Sequence, residues 1–182
     1  HLEIVFQSTG IFLPQVGLWL DPGESAASAW LSHGHSDHAR GMHGRAWGTP
    51  ETLEFYQVRW PEDGSGNRQA VGFGETFECG GARCTVHPAG HILGAAQLLI
   101  EYGAERVVYT GDIKLRPPLC GAATEVVPCD RLIIESTFGL PIYHFLEREE
   151  AARRIVEFAR ECLEDGVSPV FYGYALGRGQ EI

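Results

Sequence analysis

The chain has 182 residues, 44% of them hydrophobic and 21% charged, enough for one domain with a real core, or one domain and part of another. No apolar run approaches the roughly 18 residues that a membrane span needs, so nothing here spans a bilayer. The formal net charge of −10 excludes nucleic-acid binding driven by the whole-molecule field; a polyanionic substrate has to be held locally, by a metal or a few arginines.

The five cysteines, Cys79, Cys84, Cys120, Cys129 and Cys162, are scattered and never form a C-x-x-C pair. That argues against a disulfide framework and a thiolate zinc site, and fits a reducing cytoplasm. No signal-peptide pattern opens the sequence as it stands.

In chain order, short β-rich runs predict strands over residues 2–6, 18–20, 29–31, 83–87, 97–102, 106–110 and 131–135. Thr49-Pro50-Glu51 reads as an N-cap, a proline in the first turn and an acidic start, so a helix follows to about Val58. The stretch "DGSGNR" at 63–68 is a polar loop with no evident chemistry. Gly80–Gly81 and Gly103–Glu105 read as hairpin turns. After Pro141 the texture changes. Ala151, Ile155, Phe158, Ala159 and Cys162 make one apolar stripe, the strongest helix in the chain, with Gly166 as its C-terminal stop. "PVFYGY" then predicts a short strand, and "ALGRGQEI" opens a loop or helix.

The chemistry concentrates in "LSHGHSDHARG" at 31–41, where His33, His35, Asp37 and His38 fall within six positions. If the preceding strand continues, His33 and His35 share a face and reach one ion. Asp37 and His38 come where the chain should turn into a helix, and reach a second ion beside the first. Imidazole with carboxylate suits zinc, iron or manganese. Two further candidates lie at other strand ends next to glycine, His91 in "HPAGHILGAAQ" and Asp112 in "VVYTGDI". His43, His87 and His144 read as non-ligands. Asp21, in "LWLDPG", is either a plain turn aspartate or a residue behind the ligands, accepting a hydrogen bond from a ligand histidine or a nearby amide.

The pattern H-x-H-x-D-H, then a lone histidine in a Gly loop, then "TGD", resembles the metallo-β-lactamase superfamily. The resemblance implies an αββα sandwich with a two-metal site on the sheet edges. His33, His35 and His91 would hold one ion, Asp37 and His38 the other, and Asp112 would bridge, with Asp21 behind. "IIESTFGLPIYHF" and "YALGRGQEI" are similar to the β-CASP nucleases of that superfamily, and nearest to the bacterial ligase-associated DNA exonucleases, also described as mRNA 3′-end processing exonucleases. Glu135 would be that group's acidic motif A. By this resemblance the two further histidine motifs of the group, B and C, would lie beyond Ile182. The fold class that the resemblance implies is α/β (α+β): the N-terminal part of a metallo-β-lactamase domain over 1–140, followed by the beginning of an inserted β-CASP α/β domain over 141–182, in a chain expected to be truncated.

What the resemblance implies is a metal-dependent nucleic-acid phosphodiesterase. It would be a DNA exonuclease of DNA processing and repair, using a hydroxide activated by two divalent ions, zinc ahead of manganese or iron. Asp37 would bind metal and orient the nucleophile, Glu135 would shape the site, and Arg178 would contact a backbone phosphate. DNA is expected ahead of RNA, alongside a DNA ligase or helicase repair system, with no membrane partner and a cytoplasmic location. The rival readings are an RNA-processing β-CASP ribonuclease, a glyoxalase-II-like thioesterase on the same site, and a non-catalytic binding fragment; the chain by itself is expected to be inactive.

Overall fold

The computed structural model describes residues 1–62 and 67–182, which divide into two compact units, His1–Glu135 and Ser136–Ile182. The first unit contains β1 (Val5–Gln7), β2 (Gly10–Leu13), β3 (Leu18–Leu20), β4 (Ala29–Trp30), β5 (Ala46–Gly48), α1 (Pro50–Arg59), β6 (Arg68–Ala70), β7 (Thr76–Cys79), β8 (Ala82–Pro88), β9 (Ala96–Tyr102), β10 (Glu105–Tyr109) and β11 (Arg131–Ile133).

These strands form two sheets, in the orders β1-β2-β3-β4-β5-β6 and β11-β10-β9-β8-β7. In the first sheet β1 to β3 run antiparallel and β3 to β6 parallel; in the second only β10 and β11 are parallel. Alternation decides what faces what. Leu18, Leu20, Trp30 and Trp47 from the first sheet meet Cys84, Val86, Leu98, Ile100 and Val107 from the second in one buried core. Ala29, Leu31 and Ala46, one position out of phase, turn to the other side and pack with Leu53 and Tyr56 of α1. The result is a mixed α/β sandwich of two sheets, with α1 on the outer face of the first.

Each predicted strand between 2 and 135 appears, with bounds shifted by up to three residues at an end. Both predicted turns close hairpins, Cys79 pairing with Ala82 and Tyr102 with Glu105. Helix α1 starts where the capping signal put it: the Thr49 hydroxyl accepts from the Thr52 amide at 3.3 Å. Strands β2, β5, β6 and β7 carry no clear signal in the sequence. They are three or four residues long and get their stability from a neighbouring ladder rather than from their own pattern. Of the predicted polar loop at 63–68, residues 63–66 lie outside the described residues, and Arg68 opens β6.

The second unit contains α2 (Arg148–Glu164) and α3 (Arg178–Glu181). Helix α2 ends in a Schellman motif on Gly166 (φ +71°): the Gly166 amide donates to the Leu163 carbonyl at 3.1 Å and the Val167 amide to that of Cys162 at 2.8 Å. The strand expected in "PVFYGY" does not form, and residues 169–174 are irregular. A strand needs a ladder partner, and this unit has none among the described residues; Phe171 instead sets its ring on Phe158 of α2, centroids 5.5 Å apart.

Candidate metal centre

The site is built where strands of both sheets end. Asp21 directly follows β3 and is held at φ +43°, a left-handed conformation that aspartate tolerates better than most residues. Its amide donates to the Trp30 carbonyl at 2.9 Å, and its carboxylate turns inward beneath the end of β4. Two residues after β4, the Ser32 amide donates to Asp21 Oδ1 at 2.7 Å, while the Ser32 carbonyl accepts from the Ala96 amide of β9 at 2.8 Å. Residue 32 thus joins the two sheets immediately before the histidine segment.

His33 and His35 do not share a strand face, contrary to the expectation from alternation, because β4 stops at Trp30. Asp37 and His38 do not open a helix either. They sit in one turn, closed by the Ala39 amide on the His35 carbonyl at 2.8 Å, and the chain then straightens toward β5. A loop therefore folds the imidazoles together, and α1 braces it from outside. Arg59 donates to the carbonyls of Gly34 (3.0 Å) and Ala39 (3.3 Å), and the Phe55 ring fills the space that a Cβ on residue 34 would need.

His91 follows β8 in a tight loop. The hydroxyls of Thr49 and Thr52 at the start of α1 both point at the Gly94 carbonyl, and Thr124 donates to the carbonyls of Ala89 and Lys114, tying this loop to the one that carries Asp112. Asp112 follows β10 and Gly111. Gly111 is at φ +54°, and a Cβ there would overlap the Ser32 side chain.

Two donor sets result. His33 Nε2 lies 3.0 Å from His35 Nδ1, which lies 3.2 Å from His91 Nε2; Asp112 Oδ2 is 3.8 Å from His33 Nε2 and 3.5 Å from His91 Nε2. All four atoms fall within 4.8 Å of one another. A tetrahedral zinc ion with bonds of about 2.0–2.1 Å needs donors about 3.3 Å apart. Three imidazole nitrogens and a carboxylate at this spacing fit such an ion. The second set is His38 Nε2, with Asp112 Oδ1 at 3.3 Å and Asp37 Oδ2 at 3.7 Å. The Asp37 side chain is 76% exposed, so this half opens to solvent. Asp21, His33 and His38 also lie close together. That trio is a hydrogen-bonded cluster: the Asp21 carboxylate already accepts from the Ser32 amide and hydroxyl, from Tyr109 Oη (2.8 Å) and from His38 Nδ1 (2.7 Å), which uses its lone pairs.

The electrostatics match these roles. Burial, reinforced by the neighbouring histidines, drives His33 far below the ordinary histidine value and keeps its imidazole neutral. Burial and His35 take His91 down to about 4. For His38 burial pulls down, but the hydrogen bond and charge of Asp21, with Asp112 and Asp37, carry it up to about 9. Burial raises Asp112, opposed by His38 and reinforced by Glu135, Asp37 and Asp21. Burial and Asp21 together raise Tyr109.

The structure therefore brings together His33, His35, Asp37, His38, His91 and Asp112, with Asp21 directly behind. Glu135 Oε1 accepts from the Ile113 amide at 2.9 Å, one residue past Asp112. Arg178 begins α3 in the second unit, its guanidinium 6.0 Å from the Tyr174 ring centroid. His87 pairs with Glu125 at 2.7 Å, and His43 accepts from the Ala26 amide at 3.2 Å and stacks on Tyr56. Sequence reasoning missed Ser32 and Tyr109, the two side chains that donate to Asp21 from positions next to the metal motifs. Both precede a motif residue closely in the chain, which was the only signal available.

No protein-family model matches the chain. Curated relatives do. The chain is 36% identical over 180 residues, 96% of its length, to a "Probable DNA ligase" of Opitutus terrae. It is 38% identical over 52% of its length to an "RNase J-like protein" of Methanocaldococcus jannaschii, and 39% identical over 63% to "Cleavage and polyadenylation specificity factor subunit 3" of Dictyostelium discoideum. The chain spans only 17%, 23% and 15% of these three proteins.

Proposed function

We propose that this chain, a homologue of the β-CASP nucleases of the metallo-β-lactamase fold, carries the metal centre of a phosphodiesterase that cleaves nucleic acid. One observation carries the reading: the two oxygens of Asp112 face two different donor sets, three imidazoles on one side and His38 on the other. A carboxylate placed this way offsets the repulsion between two adjacent cations.

In this reading His33, His35, His91 and Asp112 would hold the first ion, and Asp37, His38 and Asp112 would hold the second. A pair of divalent ions, zinc ahead of manganese or iron, supplies Lewis acidity toward the phosphate and lowers the pKa of water. The remaining work belongs to the chain. Neutral His33 and His91 offer lone pairs without first shedding a proton. Asp37, at the open rim, orients the attacking water. Glu135 holds the backbone after Asp112, keeping the bridging carboxylate aimed at both halves. Arg178 contacts a backbone phosphate. Metals at the site also explain how a chain of net charge −10 holds a polyanion.

Residues 1–140 are read as the N-terminal part of the metallo-β-lactamase domain, and 141–182 as the start of the β-CASP insert. DNA is the favoured substrate, with exonucleolytic cleavage in DNA repair beside a ligase, because the relative matched over 96% of the chain is described as a probable DNA ligase. RNA processing is the second reading, favoured by the printed names of the RNase J-like and polyadenylation-factor relatives. A cytoplasmic location accompanies either; no helix among the described residues is long and apolar enough to cross a membrane. The test is turnover of labelled DNA, labelled RNA and a thioester by a metal-loaded enzyme that carries this chain together with the remaining β-CASP motifs, with residues 1–182 alone as the comparison expected to be inactive. Oligonucleotide cleavage that is lost in Asp112→Ala is expected. Thioester hydrolysis without oligonucleotide cleavage would overturn the reading in favour of a glyoxalase-II-like enzyme.

A further inference from the structure

We propose that Ser32 is a positioning residue that relays Asp21 to the buried ligand His33, so that one oxygen, Asp21 Oδ2, anchors a histidine in each half of the site. The inference rests on the metal-centre reading above and extends it to a residue outside the ligand set.

The direction of each hydrogen bond follows from donor chemistry. Asp21 is 8% exposed, Ser32 1% and His33 fully buried, so no solvent competes for these bonds. The Ser32 hydroxyl has one proton and lies against Asp21 Oδ2, which as a carboxylate oxygen only accepts. Ser32 Oγ must therefore meet His33 Nδ1, 3.0 Å away, with a lone pair, and His33 must carry its proton on Nδ1. That leaves Nε2 of His33 bare, and Nε2 is the atom that faces His35, His91 and Asp112. On the other side, Oδ2 takes His38 Nδ1 directly at 2.7 Å, which turns His38 Nε2 toward Asp112 and Asp37. The first half reaches the shared oxygen through a hydroxyl and the second half without one. Tyr109 donates to the same oxygen and touches neither ligand in this chain of bonds, so it holds the carboxylate without setting the His33 proton. Gly111 belongs to the same device, since any Cβ there would displace the Ser32 hydroxyl.

Without the Ser32 hydroxyl, His33 Nδ1–H loses its acceptor, while His35 Nδ1 waits 3.0 Å from Nε2. The proton then moves to Nε2, the position that should bind metal. The experiment is nitrogen NMR of histidine-labelled, metal-free protein at neutral pH, with His33 assigned from the His33→Gln spectrum, alongside zinc affinity by chelator competition. Wild type is expected to show His33 with Nδ1 protonated and Nε2 bare. Ser32→Ala should populate the Nε2–H form and weaken the first ion by about 10–100-fold. Tyr109→Phe removes a donor to the same carboxylate, yet should keep the wild-type His33 proton position. Wild-type His33 protonated on Nε2 would overturn the proposal without any variant, as would an unchanged His33 signature in Ser32→Ala or the same change in Tyr109→Phe. If Ser32→Ala does not fold, Ser32→Cys and the wild-type spectrum decide. A protein that shows the expected proton positions but binds no divalent ion would retain the relay and overturn the metal-centre reading instead.

Discussion

Asp112 Oδ1 lies 3.3 Å from Nε2 of His38, while the other oxygen of the same carboxylate faces His33 and His91. One side chain therefore belongs to both halves of the site. In the enzyme that carries this chain together with the remaining β-CASP motifs, Asp112→Ala should reduce oligonucleotide cleavage at least about 100-fold, more than the roughly tenfold loss at the mild end for a residue that only supports a ligand. Its side chain is 24% exposed and fills no core position, so circular dichroism should show a folded protein. Metal analysis should find the loss first in the second ion. Wild-type metal content with retained cleavage would remove Asp112 from its bridging role.

The two halves should bind with unequal strength. The first offers three imidazoles and a carboxylate oxygen within 4.8 Å, anchored by His33 in the interior. The second rests on His38, the shared Asp112 and an Asp37 that is 76% exposed. An exposed side chain must be ordered before it can bind, which costs about 1 kcal/mol or more of rotamer freedom. Calorimetric zinc titration of the metal-free protein should resolve two steps at least about tenfold apart, a difference of about 1.4 kcal/mol. Asp37→Ala should weaken only the second step.

Stability of the metal-free protein should peak near neutral pH. His33 and His91 have folded values below their unfolded one, so the unfolded chain takes up protons first as pH falls through about 6.5. Stability is then lost on the acid side, for His91 progressively down to about 4. Asp112, whose carboxyl is raised, offsets part of that loss at the acid end. His38 has the opposite sign. Its folded value is raised to about 9, so its contribution is complete below about 6.5 and disappears as pH climbs through about 9. Each group adds a slope of at most about 1.4 kcal/mol per pH unit within its window. Urea midpoints measured with a chelator from pH 5 to 9 should be highest at roughly pH 6–7; a midpoint that rises steadily to pH 9 would contradict the His38–Asp21 pair.

Gly111→Ala should be costly although it adds a single methyl group. The residue is at φ +54°, and its Cβ would overlap the Ser32 side chain. Left-handed strain and overpacking together predict a loss of about 2–4 kcal/mol. Urea unfolding measures the stability, and chelator competition should show weaker zinc binding in the same variant. Gly103→Ala is the control. It is also at positive φ, but nothing lies within 4 Å of its Cβ, so it should carry the strain alone and leave zinc affinity unchanged.

The sequence by itself singled out the candidate residues for the chemistry, the longer strands, the start of α1 and the end of α2. His33, His35, Asp37 and His38 stand out because metal ligands rarely crowd into six positions by chance, and Thr49-Pro50 and Gly166 are local signals that act through their own backbone. The apolar stripe of α2 is equally local. What the sequence could not decide was how those ligands meet. Alternation along β4 suggested a shared face for His33 and His35, yet the strand ends at Trp30 and a loop braced by Arg59 and Phe55 sets their geometry. The short strands β2, β5, β6 and β7 exist because neighbours supply their ladders, and "PVFYGY" is irregular, with no ladder partner among the described residues. Ser32 and Tyr109 are ordinary residues until residues 21, 32, 38 and 109 are folded around one carboxylate. Candidate ligands are recognised by side-chain chemistry, which can be read along the chain; convergence and hydrogen-bond direction are properties of packing between segments up to 88 residues apart, and only the tertiary structure fixes them.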